Sequence, residues 1–425
     1  MSAARQQLLD MLTAERDQQI ALLQAFVRTD TCNPPGDTRQ GAGLLGGFLD
    51  RHGLPHRVVA PQPEMPNIIG HVDGHGPGRH LVLNGHIDVF PIGNRDSWSR
   101  DPLGAEIAAG RLYGRGAVDM KCGTVASLFT YAYLARVRDA WPGRLTLTVV
   151  SDEETGGRWG ADYLLENLGE EVLGDCVLNG EPSSRHTVRF GEKSILWLRF
   201  RIKVPGGHSA YPHLSPSANK IAARLILDLE RLERLEPEMP AGVRAVLERP
   251  DVRRSMDEGL GAGAADVAMR LSLNIGTLNG GVKTNMLPED CVFEADCRLP
   301  IGLTRARVMA EVAQILQGYP EATVEEVLER TVEPAASDPD ADMVRIIQAN
   351  AAAACGVTPL PIVNLGATDC RFWRNKGVPA YVYGCSPEGM GAPDESVEVE
   401  EFLNVVRVHV LSAFDYLAAR DPDRL

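Results

Sequence analysis

The stretch Leu81-Val82-Leu83-Asn84-Gly85-His86-Ile87-Asp88-Val89 decides how the chain is read. Its first residues are wholly apolar, the pattern of a strand buried on both faces of a sheet. It then turns polar. His86 and Asp88 are two residues apart, so on a strand both side chains leave the same face. Similar short apolar runs cover Asn67 to His71, Leu145 to Ser151 and Cys176 to Asn179, and a helical pattern covers Gly123 to Val137. Strands alternating with helices predict an α/β layered domain with a mixed sheet and helices on both faces, three layers in all. Upstream, a helix over Met1 to Val27 and another over Gly41 to His52 flank the breaker cluster Asp30-Thr31-Cys32-Asn33-Pro34-Pro35-Gly36.

The pattern changes after Glu181. From Ser194 to Val204 the residues Leu196, Leu198, Phe200 and Ile202 alternate with Trp197, Arg199, Arg201 and Lys203, as in a half-buried strand. A helix from Pro216 to Arg234 follows. Then come strands over Arg270 to Leu278 and Cys291 to Arg298, a helix over Thr304 to Gln317 and a strand over Ala322 to Thr331. The order β-α-β-β-α-β predicts a ferredoxin-like α+β domain. It is inserted at residues 191–332 between two parts of the first domain, 1–190 and 333–425. The Pro-, Gly- and charge-rich stretch from Glu236 to Ala264 reads as a surface excursion, and a final helix covers Glu398 to Ala419.

A chain of 425 residues exceeds one ordinary core, which agrees with two domains. Its 44% apolar and 24% charged residues exclude disorder, collagen and coiled coil as the main content. The formal charge of −14 repels nucleic acid and anionic lipid, so neither is expected as a partner. No apolar run approaches the roughly 18 residues of a membrane span. The N-terminal helix lacks the apolar core of a signal peptide. Eight cysteines without a Cys-x-x-Cys pair read as reduced thiols of a cytoplasmic protein.

Four polar clusters carry the chemistry. His86 and Asp88 end one strand, where a carboxylate can hold the ring of a metal-binding histidine; the plainer reading is an aspartate capping a strand-end histidine. Asp119 lies in the glycine-rich loop Gly114-Arg115-Gly116-Ala117-Val118-Asp119 before a helix. It can bridge two ions or simply cap the helix. Asp152-Glu153-Glu154 follows a third strand, and Glu181 a fourth. Neighbouring side chains diverge, so one of Glu153 and Glu154 can bind metal while the other moves a proton. Strand ends are where open α/β sheets bind ligands. One histidine among carboxylates suits zinc or manganese.

These clusters, in this order, resemble the metallohydrolases that include acetylornithine deacetylase, succinyl-diaminopimelate desuccinylase, aminoacylase and glutamate carboxypeptidase. The resemblance also rests on Trp98-Ser99-Arg100-Asp101-Pro102, Gly110-Arg111-Leu112-Tyr113-Gly114-Arg115-Gly116 and Asp152-Glu153-Glu154-Thr155-Gly156. It implies that His86 and Glu181 hold a first metal, with Asp88 behind His86. It further implies that Asp119 bridges, Glu154 holds a second metal and Glu153 is the general base. His208 in Gly206-Gly207-His208-Ser209 resembles a lid histidine that reaches a neighbouring site in a dimer, so a homodimer or higher homo-oligomer through the inserted domain is implied. Asn285, Arg298 and Thr368 resemble contacts to a small substrate bearing a carboxylate; for Arg298 an ion pair with Asp296 is the structural alternative.

The match breaks at one place. Where the family has a last histidine before a Pro-Asp/Asn-Glu sequence, this chain has Gly391 before Ala392-Pro393-Asp394-Glu395. The second metal loses a ligand, for which Cys385, Glu388 and Asp394 are the candidate replacements. The resemblance therefore implies one or two divalent ions, zinc, manganese or cobalt, and hydrolysis of a C–N bond with Glu153 as base. Removal of an acyl group from an N-acyl amino acid is the ordinary branch. Loss of ammonia from an aromatic amine, as in the relative 5-nitroanthranilate aminohydrolase, is the other. A catalytically inactive ligand-binding relative is the reading of another class.

Overall fold

The computed structural model describes residues 2–327 and 332–419. The chain divides into two compact units: Met1–Phe190 with Ser337–Ile362 and Thr368–Leu425, and Gly191–Ala336 with Val363–Ala367.

The first unit is built on a mixed sheet. Its strands run in the order Arg57–Val59, Asn67–Asp73, Arg144–Val150, His80–His86, Cys176–Asn179, Ala380–Val382 and Thr187–Glu192. His80–His86 is parallel to both neighbours, while Arg57–Val59, Asn67–Asp73 and Arg144–Val150 pair antiparallel. Every residue from Leu81 to His86 is buried, so both faces of this strand are covered, as its apolar run requires. The helix Cys122–Arg136 is buried from Cys122 through Leu134; it carries no charge before Arg136 and so has no face that prefers water. The helix Val399–Ala418 packs against it. The N-terminal helix is two helices, Ala3–Ala14 and Arg16–Val27, broken at Glu15. A small three-stranded sheet, Ser396–Glu398 beside Arg111–Tyr113 beside Ile107–Ala108, joins the C-terminal segment to the loop that leads to Asp119.

The second unit is a four-stranded antiparallel sheet in the order Ser272–Gly280, Asp290–Leu299, Ser194–Lys203, Ala322–Glu326. With helices Ala218–Leu229 and Arg305–Leu316 this is the ferredoxin-like order. Leu196, Leu198, Phe200 and Ile202 point into its core, and the Phe200 and Phe293 rings stack at 4.8 Å. The last strand ends at Glu326; residues 328–331 of the expected strand lie outside the described residues. The stretch expected as a surface excursion is instead three helices: Ala241–Leu247, Pro250–Leu260 and Ala264–Ala268. They bury Val243, Val246, Leu247, Val252, Met256 and Ala265. Apolar residues at helical spacing overrode the Pro- and Gly-rich composition, because the prolines sit at helix starts and Gly261 and Gly263 between helices.

Candidate metal centre

Three strands of the first unit end at the same edge and deliver its acids there. His86 is the last residue of its strand and is only 1% exposed. Its Nδ1 lies 2.8 Å from the backbone carbonyl oxygen of Asp88. A carbonyl can only accept, so this contact places the ring proton on Nδ1 and leaves the lone pair on Nε2. Nε2 stands 3.3 Å from Asp119 Oδ1 and 3.3 Å from Glu181 Oε1, and it makes no hydrogen bond.

The expectation that the Asp88 carboxylate holds this ring needs correction. Its Oδ1 is 3.6 Å from Nδ1. The carboxylate is spent elsewhere: Oδ1 accepts the Glu153 N–H at 3.2 Å, and Oδ2 accepts the Glu154 N–H at 3.1 Å and the Asn33 amide at 2.9 Å. Asp88 thus fastens the acidic turn that follows the Arg144–Val150 strand. Glu181 is set by a polar ladder across strand ends. Its N–H donates to Asn179 Oδ1 at 2.7 Å, and Asn179 Nδ2 donates to Asn84 Oδ1 at 2.7 Å.

His86, Asp119 and Glu181 are the one group of ligand-bearing side chains, among the described residues, whose donor atoms lie within 4.8 Å of one another. An imidazole nitrogen with no hydrogen-bond partner, between two buried carboxylates, fits a divalent ion, which would displace any proton there. The electrostatics agree. Burial works to lower the pKa of His86, but Asp119 and Glu181 override it and raise it well above the usual histidine value. Burial and repulsion from Asp119 push Glu181 up to about 8. Negative charge is crowded here without enough compensation.

Glu154 and Glu153 diverge, as neighbours in a turn should. Glu154 buries Oε1 without a partner, and burial together with Asp119 raises its carboxyl well above the ordinary range. Glu153 pairs with Arg371, Nη1 to Oε1 at 3.1 Å. Burial raises its pKa, and Arg371 opposes that rise. Asp152 is structural: its two oxygens accept the N–H groups of Trp159 and Gly160 at 2.8 and 2.9 Å.

No candidate replacement for the missing histidine joins the His86 group among the described residues. The Asp394 carboxylate caps Ser99, accepting its N–H at 2.9 Å and its hydroxyl at 2.8 Å. Glu388 is exposed and faces Arg111 at 4.0 Å. Cys385 is fully buried, with a thiol raised first by its contact with Cys122 and then by burial. His409, inside the last helix, is held by the Tyr383 carbonyl at 2.6 Å. Gly391 has φ +72° and gives its carbonyl to Arg115 Nη2 at 2.9 Å.

Thr368 is buried, and its hydroxyl accepts the Cys370 N–H at 3.3 Å. Asp369, of the same Gly366-Ala367-Thr368-Asp369 loop, and Arg371, which the sequence reading missed, follow it in the chain. Asp369 is buried with neither carboxylate oxygen partnered, and Arg371 is the cation on Glu153. The run Thr368-Asp369-Cys370-Arg371 signalled both, as charges where a loop of small and apolar residues passes into the helix Cys370–Asn375. Within the second unit, His208 is exposed on a two-stranded ribbon opposite Met286, and the Ser209 N–H donates to the Asn285 carbonyl at 3.1 Å. Arg298 there pairs with Asp296, Nε to Oδ1 at 2.9 Å.

A mixed α/β sheet with acids and one histidine at its strand ends, and a ferredoxin-like unit inserted in the chain, defines a metallohydrolase class. The model of peptidase family M20/M25/M40 matches residues 82–414, and the chain belongs to that family. It is a hydrolase of the M20 family. The chain is 29% identical over 340 residues to a succinyl-diaminopimelate desuccinylase of Wolinella succinogenes, covering 78% of this chain and 83% of that one. An M20-family metallo-carboxypeptidase from Sulfolobus solfataricus superposes with a TM-score of 0.80 at 17% identity, covering 94% and 99% of the two chains. A dinuclear metal-binding M20 peptidase from Bacillus subtilis superposes with a TM-score of 0.61 at 14% identity, covering 95% and 99%. Among the described residues no helix is long and apolar enough to cross a membrane.

Proposed function

We propose that this chain removes the acyl group from the amine of a small N-acylated amino acid, using one divalent ion. The observation that carries the reading is the bare Nε2 of His86 between Asp119 and Glu181. The desuccinylase relatives support the substrate class, an amide beside a carboxylate. His86, Asp119 and Glu181 would hold the ion, and zinc, manganese and cobalt all accept this donor set. When bound, such an ion polarises the scissile carbonyl and makes water more acidic.

The chain's own residues do the rest. Glu153 takes a proton from the attacking water and returns it to the leaving amine, giving a free carboxylate and an amine. Burial makes Glu153 a stronger base than an exposed glutamate, and Arg371 limits that rise. The inserted unit acts as a lid through which two copies pair, with the exposed His208 stabilising developing negative charge. Asn285 takes the substrate carboxylate, and Arg298, whose Nε is engaged by Asp296, joins it through the rest of its guanidinium. All eight cysteines are free, as suits the cytoplasm.

Gly391 in the place of the usual histidine favours a second reading, loss of ammonia from an activated aromatic amine at a single ion. One experiment separates them: metal-loaded enzyme is given N-succinyl and N-acetyl amino acids and, in parallel, amino-benzoates, and carboxylate and ammonia are both measured. Carboxylate release supports deacylation, and ammonia release alone replaces it with deamination. Absence of both, with no metal bound, leaves a binding protein.

A further inference from the structure

Two motifs singled out by the resemblance have no part in the chemistry above: Trp98 to Pro102 and Gly114 to Gly116. They meet around one buried carboxylate. Glu395 is 1% exposed. Its Oε1 accepts the Val118 N–H at 2.9 Å and the Asp119 N–H at 3.2 Å, while Oε2 binds Arg115 Nη1 at 2.5 Å. Its backbone carbonyl accepts the Gly114 N–H at 2.8 Å. The Arg115 guanidinium spans the gap: it also donates to the carbonyls of Gly391 at 2.9 Å and Ala392 at 3.4 Å, and lies 5.1 Å over the Trp98 ring. The Arg115 N–H donates to the Pro102 carbonyl at 2.7 Å. Gly116 keeps the loop on this path. Its φ is +77°, and a Cβ there would stand 2.2 Å from Val89 Cγ1.

We infer that Glu395, locked by Arg115, is a positioning residue that holds the Asp119 backbone so that its carboxylate faces His86 and Glu181. The inference rests on the metal-holding role proposed for Asp119. The reasoning is geometric. Asp119 has an extended backbone, φ −110° and ψ 103°, inside a buried turn, so neither helix nor sheet fixes it. The bonds from Glu395 to its own N–H and to the preceding one do. A buried carboxylate accepting two amides and one guanidinium has no freedom to rotate, so it transmits its position to Asp119. Outer partners of this kind change metal affinity by about 10- to 100-fold when removed. The C-terminal segment has thus kept its hold on the metal loop although Gly391 brings no ligand to it.

The test is metal affinity, measured for zinc and manganese alone by competition with a chromogenic chelator, beside the thermal stability of the metal-free protein. Glu395→Ala is expected to bind each ion about 10- to 100-fold more weakly. Glu395→Gln is expected to fall between it and wild type, because its amide oxygen still accepts both N–H groups. Glu395→Ala strands a buried arginine and risks unfolding, so the pair Arg115→Met with Glu395→Met is made as well. It removes both charges together, which buried ion pairs tolerate, and it is expected to show the same loss of affinity while folded. Wild-type affinity in any folded variant lacking the Glu395 oxygens overturns the inference alone. A wild-type chain that binds neither ion overturns the metal-centre reading and the inference with it.

Discussion

The acidic cluster of the first unit has two sides that differ in completeness. On one, His86, Asp119 and Glu181 close on each other, and each is held from behind: by the Asp88 carbonyl, by Glu395, and by the Asn179–Asn84 ladder. On the other, Glu154 and Asp369 bury carboxylate oxygens with no partner, and the segment that could face them offers Gly391. Burial raises the carboxyl pKa of Glu181 on one side and of Glu154 and Asp369 on the other, so desolvation is common to them. What separates them is the supply of a nitrogen ligand and of supporting hydrogen bonds. A buried carboxylate is tolerable only where a cation or donor stands against it. The closed side therefore reads as an ion site, and on the open side Arg371 on Glu153 supplies positive charge.

The comparison breaks most sharply at His86. Replacing it with Ala removes the nitrogen of the closed side, and metal affinity should fall by more than about 100-fold, beyond the usual loss for an outer-shell partner; metal analysis after dialysis reads this directly. Glu153→Gln should cut turnover by roughly 10²- to 10⁴-fold while leaving bound metal unchanged. If it leaves turnover intact, the base lies elsewhere.

Glu154→Gln sharpens the count of ions. One ion per chain should remain at wild-type occupancy, whereas a two-ion enzyme would lose one. Arg371→Leu removes the cation that holds the Glu153 pKa down. The sign follows: Glu153 then protonates at higher pH, so the acidic limb of the kcat/KM profile should move to higher pH, with metal content constant.

The smallest effect lies outside the cluster and gives its baseline. Burial lowers the His409 pKa to about 4. Between the ordinary histidine value and about 4, the unfolded chain binds a proton that the folded chain does not. The His409 contribution to the stability of the metal-free protein should thus be complete above about pH 6.5 and fall as pH drops toward 4, by about 1 kcal/mol over the first pH step of one below 6.5. His409→Gln should flatten that slope in thermal melts at pH 5 to 7.

Much of this architecture is legible in one dimension, and for local reasons. The run Leu81 to Leu83 announces a strand covered on both faces, and the switch to His86 marks its end. The parity of Leu196, Leu198, Phe200 and Ile202 announces the half-buried strand of the second unit. The three helices between Ala241 and Ala268 were hidden because prolines and glycines at their ends dominate the composition. Asp88 was misread in part because neighbourhood in sequence suggests a side-chain partner, whereas its carboxylate turns to two amides 65 and 66 residues away.

By itself the sequence determined the fold class, the family and the set of acids, since strand periodicity and residue type are local properties that survive without coordinates. Only the tertiary structure decided which nitrogen of His86 is bare, which acid is spent on amides, and that Glu395 meets Arg115 across 280 residues. Those facts depend on where strand ends converge and on the few donors a buried edge can provide, and nothing along the chain encodes such distances directly.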